Sequence, residues 1–169
     1  PRQAEHKDGF WDLGDFGSLI FQDLTLTYSG KRGNVLYQEE MKKILKEDEN
    51  VIIYQDSSGL DNWNSKNHVN KYGRVPMRFK GYKIYVDKQE VGMGNHASPT
   101  VYLSGKNFRV SAGIRDFWQN FPNSIQCDGK NIHLRIFPRN FSDWYELQGG
   151  ESKTHTIYLD FEGNSLSWI

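Results

Sequence analysis

Apolar and polar residues alternate along five stretches of this chain, and this period of two constrains the fold more than any other feature. The stretches are residues 24–28, 82–86, 108–114, 132–136 and 155–161. Successive side chains of a β-strand point to opposite faces, so each stretch has one apolar and one polar face. This pattern is typical of antiparallel strands that bury one side only.

Turn residues separate these stretches. Asp128 and Gly129 form a dipeptide that is favoured in two-residue hairpins. Residues 105–107 are expected to turn the chain between two further strands. Together these signals predict an all-β chain, an antiparallel β-sandwich of about eight to ten or more strands. A short helix near residues 39–48 is an alternative for that segment, because Met41, Ile44 and Leu45 have helical spacing.

Length and composition favour one domain over residues 1–169 and exclude several classes of function. Hydrophobic residues are 37% of the chain and aromatic residues 14%, a balance common in β-rich extracellular and carbohydrate-associated domains and unlike that of disordered chains. The 21 basic and 21 acidic residues leave no basic excess for nucleic-acid binding. No apolar run is long enough to span a bilayer. The first residues are not a signal peptide, and the absence of an initiator methionine favours a fragment or a processed product.

Two runs near the end of the chain combine charged, amide and aromatic side chains more densely than a core strand requires. They are residues 115–122 and 146–156. The first contributes Arg115, Asp116, Trp118, Gln119 and Asn120 as candidate sugar-binding or domain-docking residues. Trp faces stack on sugar rings, while the polar side chains bind hydroxyl groups. The competing interpretation is that Trp118 and Phe121 close one end of the sandwich as core residues.

The second run contributes Glu146, Glu151, Lys153 and His155. In an extended chain, Glu151, Lys153 and His155 share one face, where they could bind an acidic sugar or act as acid and base. Alternatively, Glu151 and Lys153 form a surface ion pair of little energetic value, and His155 ends the core-facing row of Ile157. The neighbouring residues 149–150 are both glycine and indicate a bulge or a close backbone approach.

A long polar loop is predicted from residue 56 to residue 73, and long ordered loops are often functional. Within it, Trp63 and His68 are further candidates for sugar contact, or the loop caps itself around Trp63. Near the N-terminus, residues 8–15 contain three aspartates and could suggest Ca²⁺, but they lack the full EF-hand pattern. The prediction is therefore no metal and no cofactor. Cys127 is the only cysteine, so no internal disulfide can form.

Four motifs carry a resemblance to a known family. They are DGFWDLGD at residues 8–15, YQDSSG at 54–59, RDFWQNFP at 115–122 and ELQGGESKTHT at 146–156. They resemble the central β-sandwich domain of exo-rhamnogalacturonan lyase and YetA-like proteins, and the resemblance covers residues 8–161, nearly the whole chain. It implies a large bacterial enzyme, secreted or on the cell surface or in the periplasm, that cleaves pectin-type polysaccharide by β-elimination.

In proteins of that kind a separate helical toroid usually supplies the catalytic residues, so the resemblance transfers no catalytic role to this chain. The expected function is a non-catalytic module that docks the catalytic domain or lines its substrate cleft. Its partners would then be a polysaccharide or acidic oligosaccharide and the neighbouring domains of the parent chain. Two alternatives remain open at this point, namely a free-standing carbohydrate-binding module and a purely structural spacer.

Overall fold

The computed structural model contains strands throughout the residues that it describes. It describes the backbone of residues 5–7, 10–12, 18–38, 42–44, 49–60, 76–147 and 150–162, and the side chains of residues 18–38, 49–60, 76–147 and 150–162. In chain order the strands are β1 (Glu5–Lys7), β2 (Phe10–Asp12), β3 (Leu19–Phe21), β4 (Leu24–Ser29), β5 (Asn34–Gln38), β6 (Lys42–Ile44), β7 (Val51–Gln55), β8 (Tyr82–Val86), β9 (Gln89–Gly94), β10 (Thr100–Gly105), β11 (Phe108–Ile114), β12 (Asn123–Cys127), β13 (Asn131–Phe137), β14 (Tyr145–Leu147) and β15 (Ile157–Asp160). No helix occurs in these ranges, and hence none that could span a membrane.

Two large antiparallel sheets form the body of the molecule. One sheet has the strand order β15-β11-β10-β5-β6, and the other has the order β4-β13-β12-β7-β8-β9. Strand β11 lies against β13 and β10 lies against β12, so the sheets pack face to face. The buried side chains between them include Val35, Val101, Leu103, Val110, Ala112 and Ile114 from the first sheet, and Val51, Ile53, Ile84, Ile125, Ile132 and Leu134 from the second. The predicted β-sandwich is therefore confirmed.

The predicted hairpins are present. Strands β10 and β11 pair around a two-residue turn at Lys106 and Asn107, with Gly105 opposite Phe108. Strands β12 and β13 pair with Cys127 opposite Ile132. The carboxylate of Asp128 accepts hydrogen bonds from the main-chain nitrogens of Lys130 (3.0 Å) and Asn131 (2.6 Å), which stabilises that turn.

The short helix considered near residues 39–48 is wrong for the part that the structure describes. Residues Lys42–Ile44 are strand β6, which pairs antiparallel with β5 at the edge of the five-stranded sheet. Pairing with β5 supplies backbone hydrogen bonds, and three apolar residues at helical spacing are too weak a signal to outweigh it. Residues 39–41 and 45–48 lie outside the described ranges.

Two of the alternating stretches are strands, but their apolar faces are not buried as predicted. In β4, Leu24 and Leu26 are 50% and 46% exposed, and Phe161 just after β15 is 62% exposed. Leu26 lies opposite Leu134 of β13, so it points to the inner face of its sheet. Strands β4 and β15 lie at the edges of their sheets, and the described cover of this edge includes the contact of Tyr28 with Phe161, whose ring centroids are 5.8 Å apart.

A third layer lies beside the sandwich. Strands β3 and β14 form a small sheet of their own in which Tyr145 lies opposite Phe21. Both rings contact Phe137 at the end of β13, with ring centroids 4.9 Å from Phe137 in each pair. The Phe141 ring stacks on Tyr145 at 5.0 Å. This aromatic cluster supports the chain that returns toward the sandwich at residues 150–156.

Candidate binding site around Trp118

The loop between β11 and β12 carries the first of the two polar and aromatic runs. In this loop Phe117 is 2% exposed and belongs to the core, whereas the adjacent Trp118 is half-buried. Trp118 and Phe121 are both half-buried, so closing one end of the sandwich stays a prediction for these two residues. Since neighbouring side chains diverge, burial of Phe117 directs Trp118 toward the surface.

A buried amide holds this loop in place. Asn123, at the start of β12, donates from Nδ2 to the carbonyl oxygens of Phe117 (2.8 Å) and Asn120 (3.0 Å). The main-chain nitrogen of Asn120 donates to the oxygen of Asp116 at 2.9 Å, and Asp116 adopts a positive φ of 53°. The backbone on both sides of Trp118 is thus fixed by hydrogen bonds.

One side of Trp118 borders an open pocket of about 510 Å³, which we name the Lys153 pocket. Its lining combines two aromatic side chains, two amides and an amine, together with a serine and a leucine. The described residues that line it are Ser58, Leu60, Trp118, Gln119, Asn120, Phe121 and Lys153. Its volume lies within the roughly 300–1,000 Å³ typical of small-molecule sites.

A second pocket of about 410 Å³ shares Trp118 and Gln119 with the first, and we name it the Arg115 pocket. Arg115 and Asp116 line it, and so does His96 from the loop before β10. The imidazole of His96 stacks on the indole of Trp118 with ring centroids 4.1 Å apart and planes inclined by 18°. The indole therefore stands between the two pockets, with an imidazole against one of its faces.

Lys153 comes from the second polar run and reaches the pocket from the side of the aromatic cluster. Its Nζ lies 5.2 Å from the centre of the Phe137 ring, which is within the range of a cation–π contact. The Lys153 residue as a whole is exposed, yet partial loss of hydration around the ammonium lowers its pKa. Lys153 is the charged side chain among the described residues that line this pocket.

Of the predicted face of Glu151, Lys153 and His155, Lys153 and His155 both contact the Phe137 ring. Residues 150–156 contain no strand, and β15 begins only at Ile157. His155 packs its ring edge-on against Phe137 at 5.3 Å, and neither ring nitrogen has a hydrogen-bond partner among the described residues. Burial, and next the charge of Lys153, lowers the pKa of His155.

The remaining candidates of this run are separate from the pockets. Glu146 lies in β14 opposite Ile20. Glu146, Glu151 and His155 are not among the described residues that line either pocket. Gly150 has a φ of 91°, and no described atom lies within 4 Å of the position that a Cβ would take. Its role is therefore a turn and not a close backbone approach.

Sequence reasoning missed a buried polar segment that shapes the Lys153 pocket. Residues 56–58 are the start of the predicted polar loop, but they are buried together with Gln55 at the end of β7. Gln55 donates from Nε2 to the oxygens of Ser57 (2.6 Å) and Asn95 (2.7 Å), and its Oε1 accepts from the nitrogen of Ala97 at 3.0 Å. These bonds join the segment that carries Ser58 to the loop that carries His96. The one sequence feature that could have indicated this burial is that the polar residues follow directly on the apolar residues of a core strand.

Asp56 continues this buried network on the other side. Its Oδ2 accepts from the main-chain nitrogens of Arg78 (2.5 Å) and Phe79 (3.0 Å), and its Oδ1 accepts from the hydroxyl of Tyr54. Burial, followed by the charge of Asp56, raises the pKa of Tyr54, so the phenol keeps its proton and remains a donor. The motif at residues 54–59 thus acts here as a brace for the surrounding loops.

Other predicted features fall outside the described ranges or carry no site. Trp63, His68 and the side chains of residues 8–15 lie outside them, so the sugar-contact and Ca²⁺ hypotheses for those positions stay predictions. The described residues contain no group of three or more His, Cys, Asp or Glu side chains that could hold a metal. Burial raises the pKa of Cys127 to about 12, as expected of a core thiol.

Comparisons of the chain with protein-family models, with curated proteins and with solved structures found no match.

Proposed function

We propose that this chain is a non-catalytic β-sandwich module of a bacterial polysaccharide lyase of the rhamnogalacturonan or pectin type, and that the surface around Trp118 lines the substrate cleft. The observation that carries the proposal is the position of Trp118, half-buried between two pockets and flanked by the amides of Gln119 and Asn120 and by Lys153. Catalysis in this proposal belongs to another domain of a secreted or cell-surface parent protein.

The chemistry of the Lys153 pocket matches an acidic oligosaccharide. An indole gives a flat apolar surface for the C–H face of a sugar ring, and amides both donate and accept hydrogen bonds with hydroxyl groups. An ammonium pairs with the carboxylate of a uronic acid, and charge-assisted bonds of this type are stronger than neutral ones. Trp118, Gln119, Asn120 and Lys153 bring these three functions together in one pocket.

Exposed apolar side chains support a place beside another domain. Leu19 and Ile20 of β3 are 61% and 51% exposed, and Leu24 and Leu26 of the nearby β4 are about half exposed. Large contiguous apolar patches are typical of surfaces that contact another protein or domain; Leu19 and Ile20 are successive in β3 and contribute to opposite faces of it. This observation favours a module of a larger protein over a free-standing carbohydrate-binding module, whose aromatic side chains commonly form a flat open strip.

Calorimetric titration of the 169-residue chain with rhamnogalacturonan oligosaccharides tests the proposal. Trp118→Ala and Lys153→Gln are each expected to weaken binding about tenfold, since an aromatic contact or a charge-assisted bond contributes about 1.4 kcal/mol or more. Trp144→Ala and Lys106→Gln are matched controls at exposed positions outside both pockets, and we expect them to bind as the unaltered chain does.

Ultraviolet absorbance of unsaturated sugar products is followed in the same samples. Binding without product formation supports the proposal. Absence of binding would contradict the cleft-lining role, and product formation by the chain alone would contradict the non-catalytic role. Equal losses in the control variants would show that the Trp118 surface is not the contact.

A further inference from the structure

The Arg115 pocket differs in charge from the Lys153 pocket although the two share a wall. Arg115 and Asp116 lie side by side, with Nε and Oδ2 3.8 Å apart and both side chains more than half exposed. The pocket therefore presents a guanidinium and a carboxylate whose charges balance. The Lys153 pocket presents an ammonium with no acidic side chain among its described lining.

This difference selects different chemical groups. A guanidinium offers several N–H donors in a fixed plane, and a carboxylate only accepts. Sugar hydroxyls donate and accept, so a neutral ring can satisfy both groups at once. A second ligand carboxylate in this pocket would be attracted by Arg115 but repelled by Asp116, so it would add little to the free energy of binding.

The wall between the pockets is already ordered. The stack of His96 on Trp118 and the two bonds of Asn123 hold the indole and its loop before any ligand arrives. Immobilising a large side chain on binding costs about 0.5–1.5 kcal/mol, and a preformed wall avoids that cost. A ligand that passes from one pocket to the other thus meets a fixed ridge.

We propose that the Arg115 pocket is a second binding site, which takes a neutral hydroxylated ring of the same oligosaccharide whose acidic unit occupies the Lys153 pocket. The proposal rests on the sugar-contacting role proposed above. It assigns Arg115 and Asp116 to recognition of the neutral ring, and Trp118 with His96 to the ridge that the ligand crosses.

Chain length gives the first test. The full chain is titrated with galacturonate alone and with a disaccharide and a tetrasaccharide of rhamnogalacturonan, in which each acidic ring is joined to a neutral one. We expect the disaccharide to bind about tenfold more tightly than galacturonate, because its neutral ring gains the equivalent of one charge-assisted hydrogen bond. Equal affinity for all three lengths would overturn the second site while leaving the Lys153 pocket in place.

Variants give the second test. Arg115→Gln and Asp116→Asn are expected to weaken binding of the rhamnogalacturonan disaccharide about fivefold to tenfold and to leave galacturonate binding unchanged. Asparagine tolerates the left-handed backbone of position 116, so Asp116→Asn removes the charge without strain. Arg109→Gln, at an exposed position of β11 outside both pockets, is the matched control. Equal weakening of both ligands by Arg115→Gln would contradict a separate site.

A fully acidic ligand tests the preference for a neutral ring. A disaccharide of galacturonate places a second carboxylate beside Asp116, so we expect it to bind no more tightly than galacturonate alone. A gain in affinity equal to that of the rhamnogalacturonan disaccharide would refute the preference. If neither galacturonate nor any longer ligand binds, the cleft-lining role and the second site both fail, which differs from loss of the length dependence alone.

Discussion

The amide of Asn123 is expected to control both the stability of the chain and the shape of the Trp118 loop. Asn123→Ala removes the hydrogen bonds to the oxygens of Phe117 (2.8 Å) and Asn120 (3.0 Å). Each such bond contributes about 0.5–1.5 kcal/mol net, and the two carbonyls lose their partner in a buried place. Against this, Asn123 Oδ1 has no partner among the described residues, so removing it recovers part of the loss. We expect the free energy of unfolding to fall by about 2 kcal/mol.

Urea denaturation followed by circular dichroism measures this change. A chain of this size should also lose about 4–8 °C in Tm, at about 2–4 °C per kcal/mol. Asn34→Ala is the matched control, because Asn34 is exposed on β5, and its effect should stay within about 0.5 kcal/mol. Oligosaccharide affinity should fall in Asn123→Ala and not in Asn34→Ala, because only the first loosens the loop that carries Trp118.

Asn123→Asp makes the test sharper because it keeps the shape and reverses the hydrogen bonding. An ionised carboxylate has no N–H to donate and would face two carbonyl oxygens in a buried position. We expect it to cost about 3 kcal/mol or more at neutral pH, and to regain stability as the pH falls and the carboxyl is protonated. The reasoning would be refuted if Asn123→Ala were as stable as Asn34→Ala, or if Asn123→Asp were as stable as the unaltered chain.

Two further predictions concern pH and backbone strain. Because burial and Lys153 lower the pKa of His155, the unfolded chain binds more protons just below about pH 6.5, and stability should fall as the pH drops through that range. In urea unfolding at several pH values, His155→Phe should reduce the dependence of the unfolding free energy on pH to the part due to His133, whose pKa is also lowered. An unchanged pH dependence would contradict the role given to His155. Gly81→Ala should destabilise the chain by about 2 kcal/mol or more, because position 81 has a φ of 73° and a Cβ there would lie 1.9 Å from the oxygen of Gly94. Gly150→Ala introduces the backbone strain without a clash and should lower the free energy of unfolding by only about 1 kcal/mol. Urea unfolding of both variants measures the difference, and equal destabilisation by Gly81→Ala and Gly150→Ala would refute the steric explanation.

Strand positions were predictable from the sequence because the side-chain period of a strand is local. The stretches at residues 82–86 and 108–114 are strands β8 and β11, and their apolar rows lie in the core. The hairpin at Asp128 follows from turn chemistry, which is also local. What failed was the burial of Leu24 and Leu26, because burial on an edge strand depends on contacts across the sandwich and not on the alternation of the strand itself.

The candidate site was only partly predictable. The sequence identified Trp118, Gln119, Asn120 and Lys153 as candidates, and the structure brings all four to one pocket. It could not show that His155, which is two residues from Lys153 and contacts the same Phe137 ring, lies outside the described lining of that pocket. In an irregular segment the direction of each side chain depends on distant contacts and not on spacing.

Alternation and turn residues act within a few residues of one another, and they were enough to predict an all-β chain with a sandwich core. The tertiary structure was needed to show that Phe117 enters the core and Trp118 does not, and that Gln55 and Asp56 are buried braces between loops. It also brought Lys153 and His96 to the two pockets that Trp118 separates. These outcomes depend on contacts between residues far apart in the chain, and local periodicity carries no information about such contacts.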